Sequence, residues 1–360
     1  MKNVITFPHI GNYYIPIYNL LFNLLDNCEI MIPKKITNKT LELGSKVSPD
    51  FICIPFKYNM GNFIESLDAG ANVIFQAGGG CRYGYYAELQ EQILKDLGYD
   101  FKFITLLDYN GINIFKIYKI FKDLNNKLSF IKFIYQFILT VIMINKLDNF
   151  EKYIRDNKVY DTDKKFKLIH QELLIELKNI KKIYNLNKVF KKYNKKIYNI
   201  KLKYNECIKI GIVGELFTSM EPFSTFNLEE ILNEMNVKVK RYTTVTYLLF
   251  KKNKNAKKLI KRSNKYLTSI LGADGTESVA HTLEMIDEGY DGIIHIKPFS
   301  CTPEVNAIPI LQKISNETNT PIMYLTFDMN TSKTGLITRL EAFYDMIKMK
   351  KEKKICKIVS

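Results

Sequence analysis

Three of the six cysteines share one local setting. Each follows or closes a short apolar run, and each is bounded by proline or glycine. The runs are Phe51-Ile52-Cys53-Ile54-Pro55, Val73-Ile74-Phe75 followed by Gly78-Gly79-Gly80-Cys81, and Ile293-Ile294-His295-Ile296 followed by Pro298-Phe299-Ser300-Cys301. In an open α/β sheet, ligands bind beyond the carboxyl ends of the strands, so thiols at three such ends are candidates for one shared site. Thiolate is the metal-binding form of cysteine, and a helix N-terminus or a neighbouring cation stabilises it. Cys81 precedes Arg82 and the start of an amphipathic helix, while Cys301 precedes Pro303, a good first-turn residue. Zinc commonly takes four protein ligands, often in paired C-x-x-C spacing, and no such pair occurs here. An iron–sulfur cube held by three cysteines, with one iron left open, suits the set better. Gly79 and Gly80 would let backbone N–H groups approach its sulfides.

Other residues are expected near the same strand ends. His9, in Phe7-Pro8-His9-Ile10-Gly11, reads either as a further contact to the bound group or as a hydrogen-bonded turn residue. Glu215 follows a strand and a glycine-containing turn, Gly211-Ile212-Val213-Gly214. It reads as a contact to the open iron of such a cube or to a substrate, as an acid/base group, or else as a helix-capping carboxylate near Glu221. Lys57 and Arg82 read either as charges that lower the net charge of a bound cluster or as guides for an electron donor. Cys28, Cys207 and Cys356 lie at strand beginnings or in a lysine-rich tail and read as structural thiols.

The fold class expected from the pattern is α/β: two Rossmann-like lobes with parallel sheets and a helical insertion between them. Strands and helices alternate over residues 1–106, which implies a parallel sheet covered on both faces. Strands are expected at Val4–Phe7, Cys28–Ile32, Phe51–Ile54, Val73–Gln76 and Asp100–Thr105. From 107 to 206 glycine and proline vanish after Gly111, and apolar residues recur at helical spacing beside lysines such as Lys191, Lys192, Lys195 and Lys196. The α/β rhythm returns over 207–360.

Composition bounds the alternatives. The 360 residues carry 46% hydrophobic and 25% charged side chains, ordinary values for a folded globular chain. A net charge of +16 raises nucleic acid as a partner, but only five of the 53 basic residues are arginine, the side chain suited to phosphate and base recognition. Lysine, asparagine and isoleucine are abundant everywhere, including the expected core strands, so no nucleic-acid partner is expected. No membrane partner is expected either: the apolar stretch Leu128–Ile144 is interrupted by Lys132 and Gln136 and reads as a buried helix. With no secretory signal before the first strand, a cytoplasmic location is expected, where disulfides are rare.

Six pieces resemble a known family. They are Pro8-His9-Ile10-Gly11, Cys53-Ile54-Pro55-Phe56-Lys57, Gly80-Cys81-Arg82-Tyr83-Gly84-Tyr85-Tyr86, Gly211-Ile212-Val213-Gly214-Glu215, Lys297-Pro298-Phe299-Ser300-Cys301-Thr302-Pro303-Glu304 and Thr338-Arg339-Leu340-Glu341-Ala342-Phe343. Together they resemble the 2-hydroxyacyl-CoA dehydratase D-component family, and within it the branch of CoA-protein activase-related proteins. The resemblance covers both lobes and skips the helical insertion.

It implies a 4Fe–4S cluster, or the double-cubane cluster of related proteins, with the ligand role falling on Cys53, Cys81 and Cys301. It also implies an ATP-dependent activator that passes low-potential electrons to that cluster, so ATP acts only through the partner. The reaction it implies is reductive or radical, in better-known relatives on a CoA thioester. Relatives work as dimers of similar subunits, which implies a homodimer or a heterodimer with a related subunit. The alternative from a different class is a non-catalytic scaffold or binding protein whose lobes are fastened by a metal or cluster.

Overall fold

A computed structural model of the chain describes residues 2–77, 85–106 and 113–359. Packing divides the chain into two units, residues 1–147 with 167–199 and residues 148–166 with 200–360. Each is built on its own four-stranded parallel sheet.

In the first unit the strands are β1 (Val4–Thr6), β2 (Glu29–Ile30), β3 (Val73–Gln76) and β4 (Lys102–Thr105), in the order β2-β1-β3-β4. Helices α1 (Tyr14–Leu24), α2 (Asn38–Val47), α3 (Ile54–Asp68) and α4 (Tyr86–Asp96) link them, and α5 (Ile114–Leu124) follows. Alternation along β3 buries both faces of the sheet. Val73 and Phe75 pack with Ile5, Leu21, Phe121 and Phe133 on one side. Ile74 packs with Phe56, Met60, Phe63 and Leu94 on the other. A continuous apolar strand is what a sheet covered on both faces requires.

The expected strand at Phe51–Ile54 does not form. Cys53 is instead the extended N-cap residue of α3, with Pro55 in the first turn. Proline's fixed φ suits a helix start and its missing N–H removes a ladder donor, so the helix prevails over the β-branched run.

Four helices occupy much of the segment that reads as insertion. They are α5, α6 (Phe130–Asn157), α7 (Lys165–Leu177) and α8 (Ile183–Tyr198). The stretch Phe130–Tyr160 is long and apolar enough to cross a membrane, yet Phe133, Leu139, Met143 and Leu147 on it are fully buried within the protein. Asn19 ties α1 to the end of α7 through its amide, which donates to the carbonyls of Lys178 and Ile180 at 2.9 and 2.8 Å.

In the second unit the strands are β5 (Ile208–Gly214), β6 (Val237–Arg241), β7 (Gly292–Pro298) and β8 (Ile322–Phe327), in the order β6-β5-β7-β8. The helices are the short α9 (Leu216–Met220), α10 (Leu228–Glu234), α11 (Lys252–Ser263), α12 (Gly275–Asp287), α13 (Thr302–Thr318) and α14 (Lys333–Val359), with a π-helical turn at Tyr247–Lys251. Ile210, Ile212, Ile294 and Ile296 face a core with Leu325, Leu340 and Phe343. Val213 and Ile293 face Met285 on the opposite side. The mixed α/β architecture with two parallel sheets is thus the expected pair of Rossmann-like lobes.

Candidate functional site

Both sheets have the same order of strand insertion. In each, the first strand sends the chain to one neighbour and then across to the other, so a topological switch point lies between β1 and β3 and again between β5 and β7. Connections that leave in opposite directions open a crevice at the carboxyl ends of these strands, where α/β proteins bind ligands.

At the first crevice, His9 follows β1. Its backbone N–H donates to Asn62 Oδ1 on α3 at 3.0 Å, and its ring stacks on Tyr14 at 5.2 Å. Because α3 runs antiparallel to the strands, its N-terminus lies at their carboxyl edge, and this puts Cys53 there without the expected strand. Cys53 Sγ is 2.7 Å from Tyr86 Oη. Lys57, one turn into α3, is buried and donates to the Asp50 carbonyl at 3.3 Å. Gly79, Gly80, Cys81 and Arg82 lie outside the described residues.

At the second crevice, Glu215 and Cys301 follow adjacent strands. The Glu215 N–H donates to the Ile296 carbonyl of β7 at 3.1 Å. A Cβ on Gly214 would come within 1.8 Å of that same oxygen, and Gly214 has φ +142, so only glycine lets β5 leave the sheet here. The Glu215 carboxylate accepts from the N–H groups of Phe217 and Thr218 at 2.9 and 2.8 Å and from Thr218 Oγ1 at 2.7 Å. The helix-capping reading is therefore seen directly. Burial is the main influence on this carboxyl and, reinforced by the nearby Asp274 carboxylate, pushes it up to about 7 against the lowering effect of its backbone donors.

Cys301 is the N-cap of α13, with Pro303 in the first turn and its own backbone extended. The preceding Ser300 adopts φ +69, a left-handed conformation uncommon outside glycine, which turns the chain sharply from β7 into α13. Behind Cys301 lies a buried polar group. His295 Nε2 and Glu304 Oε2 are 2.6 Å apart, both residues are fully buried, and Ser278 Oγ donates to the other Glu304 oxygen at 3.2 Å. Lys297 is buried on the same strand as His295, and burial pushes its ammonium down while the charges of Cys301 and Glu304 oppose the shift. The N-termini of α12 and α13 approach closely, since a Cβ on Gly275 would meet the Pro303 carbonyl at 2.5 Å.

Cys53 and Cys301 thus have equivalent places in their own units. Each is partly exposed, each precedes a helix with proline in its first turn, and neither sulfur caps its helix by a side-chain hydrogen bond. A thiolate at a helix N-terminus with a lysine four residues away is a donor of the kind that soft metals and iron–sulfur clusters take. Among the described residues no three His, Cys, Asp or Glu side chains converge on one metal position. None of Cys28, Cys53, Cys207 and Cys301 is in a disulfide. Cys207 is buried with Sγ 3.4 Å from Tyr160 Oη, a packed thiol as expected. Arg339 donates to the Tyr324 carbonyl at 2.7 Å, tying α14 to β8.

Residues 177–347 match the family described as 2-hydroxyglutaryl-CoA dehydratase, D-component. The resemblance to the 2-hydroxyacyl-CoA dehydratase D-component family is therefore borne out over that segment, which contains Glu215, Lys297, Cys301 and Glu304. No curated protein matches the chain.

Sequence reasoning missed Asp274, which accepts from the Leu216 N–H at the start of α9, and the Tyr247–His281 pair of the same unit. Gly272 and Gly275 around Ala273 and Asp274 were the available signal for a tight entry into α12, where Ala273 adopts φ +36. Nothing in the spacing of Tyr247 and His281, 34 positions apart, marked them as partners.

Proposed function

We propose that the protein is an iron–sulfur component of the dehydratase type, in the activase-related branch, and that Cys53, Cys81 and Cys301 hold a 4Fe–4S or double-cubane cluster. The observation that carries this reading is the placement of Cys301 at the N-terminus of α13, beyond the carboxyl end of β7, inside the segment that matches the family. Cys53 in the equivalent place of the other sheet supports it. When bound, the cluster would supply low-potential electrons, received from an ATP-dependent activator, for a reductive or radical reaction on a CoA thioester.

The chain's own residues then have definable tasks. Helix N-termini and the buried ammonium groups of Lys57 and Lys297 favour ionised sulfur and offset the charge gathered at the site. The His295–Glu304–Ser278 group fixes the first turn of α13 and so the direction of Cys301. Glu215 takes up or gives a proton near neutral pH, because burial has brought it into that range. Gly79, Gly80, Arg82 and His9 would complete the surroundings of the bound group. This chemistry belongs in the reducing cytoplasm, with a homodimer or a related subunit completing the assembly.

The test is anaerobic reconstitution with iron and sulfide, followed by metal analysis, absorption and electron paramagnetic resonance on wild type and on C53S, C81S and C301S. Retained iron in the variants would remove the ligand assignment. A cluster that holds the fold but is not reduced by any activator with ATP would favour a scaffold instead.

A further inference from the structure

In the first unit, the sulfur of Cys53 has an oxygen for a neighbour. Tyr86 is the first residue of α4, and its hydroxyl lies 2.7 Å from Cys53 Sγ. Two contacts fix the phenol in this place. Its ring meets Phe56 edge-on, with centroids 5.1 Å apart and an angle of 81°. Phe56 is fully buried in the first turn of α3, so the helix that begins at Cys53 also orients the ring facing its sulfur. One turn along α4, the buried Gln90 accepts from the Nε2 of Gln76 at 2.7 Å. Gln76 is the last residue of β3, so this bond pins the start of α4 to the carboxyl end of that strand. Cys53 and Tyr86 are both partly buried against the core that contains Phe56, Met60, Phe63 and Ile74. A hydrogen bond in such apolar surroundings is stronger than one in water.

We propose that Tyr86 is a positioning residue that sets the reduction potential of the bound cluster through Cys53. The proposal rests on Cys53 being a cluster ligand, as in the proposed function. A sulfur bound to iron carries no proton, so the Tyr86 hydroxyl is the donor and Cys53 Sγ the acceptor. Donation draws negative charge from the sulfur. The reduced cluster carries one more electron than the oxidised one and gains more from that withdrawal, so the hydrogen bond raises the potential. The electron comes from the activator and stays in the cluster, while the proton stays on the phenol oxygen. Without the hydroxyl, the activator faces a cluster that is harder to reduce.

Tyrosine suits this task because its two ends do different work. The ring packs on Phe56 and the apolar core, while the hydroxyl at its tip reaches the sulfur. Tyr86→Phe therefore keeps the packing and removes the donor. Partners of this kind, one step behind a ligand, are a general means by which a protein adjusts the group it binds.

The experiment compares wild type, Y86F and a protein carrying a singly ring-fluorinated tyrosine at position 86, each as the full chain reconstituted anaerobically with iron and sulfide. Fluorine makes the phenol a stronger donor of nearly the same shape. The midpoint potential is read by redox titration followed by electron paramagnetic resonance, and the Fe–S stretching bands by resonance Raman spectroscopy in water and in heavy water. Y86F is expected to keep the iron content of wild type, to have a lower midpoint potential and to lose part of the deuterium shift of the Fe–S bands. The fluorinated protein is expected to have a higher potential than wild type. A midpoint in Y86F equal to or above that of wild type, or a deuterium shift of undiminished size, overturns the proposal. A fluorinated protein whose potential falls or does not move overturns it as well, since a residue that only packs gives no shift of opposite sign in the two variants. If Y86F fails to fold or to take up iron, the direction of the shift in the fluorinated protein decides the matter. A wild type that takes up no iron is a separate failure: it removes the cluster reading and this proposal with it, and it is seen in the metal analysis before any potential is measured.

Discussion

Gly214 and Ile296 sit so close that no side chain fits between them: a Cβ on Gly214 would lie 1.8 Å from the Ile296 carbonyl oxygen. The contact joins the ends of β5 and β7 and sets where Glu215 leaves the sheet, because the Glu215 N–H binds that same carbonyl at 3.1 Å. Gly214→Ala is expected to destabilise the protein by at least about 2 kcal/mol, since both φ and the backbone clash oppose it. Urea unfolding of the variant against wild type checks this. A loss below about 0.5 kcal/mol would mean that the turn relaxes freely.

His295 and Glu304 form a second such constraint. Glu304→Ala would leave the imidazole and the Ser278 hydroxyl buried without their acceptor, at a cost on the order of 3 kcal/mol. Protection of the first turn of α13 against hydrogen exchange is expected to fall in the same variant. Unchanged protection would separate this group from the positioning of Cys301.

Two carboxylates give stability opposite dependences on pH. Glu215 is raised from 4.5 to about 7, so folding takes up a proton there. Its contribution is complete below about 4.5 and is lost as pH rises to about 7. At 1.36 kcal/mol per unit the swing is at most about 3 kcal/mol. Unfolding free energies measured across this range are expected to fall with pH in wild type and to flatten in E215Q.

Glu229 behaves in the reverse sense. Its two oxygens meet Arg155 Nε at 2.9 Å and Arg241 Nε at 2.8 Å, and these guanidinium charges outweigh burial, the largest influence, to leave the carboxyl at about 2. Its contribution is present above about 4.5 and lost as pH falls toward 2. E229Q is expected to lose stability at neutral pH and to show a shallower acid limb than wild type in the same titration.

Much of this organisation was legible in the sequence, and the exceptions have physical causes. Glycine and proline punctuation with apolar runs marked both sheets, because parallel strands buried on two faces are nearly continuous apolar segments. The run Phe51–Ile54 misled because β-branched character and a helix start compete over so few residues, and Pro55 decided for the helix. Helix α2 went unread because its packed face relies on Thr40 and Gly44 rather than on apolar side chains. Cys53 and Cys301 were visible from their local punctuation. Their equivalence as helix N-caps was not, since it depends on which way each helix runs against its sheet. The Glu284–His281–Tyr247 chain was invisible because it joins a half-buried helix position to a turn far away in sequence.

The iron content of the anaerobically reconstituted protein tests the central claim most directly. About four irons per chain or a multiple of that are expected in wild type, with an electron paramagnetic resonance signal on reduction, and most of the iron lost in C301S while circular dichroism is unchanged. A colourless wild-type protein that binds no iron, or a C301S variant that binds as much as wild type, would contradict it.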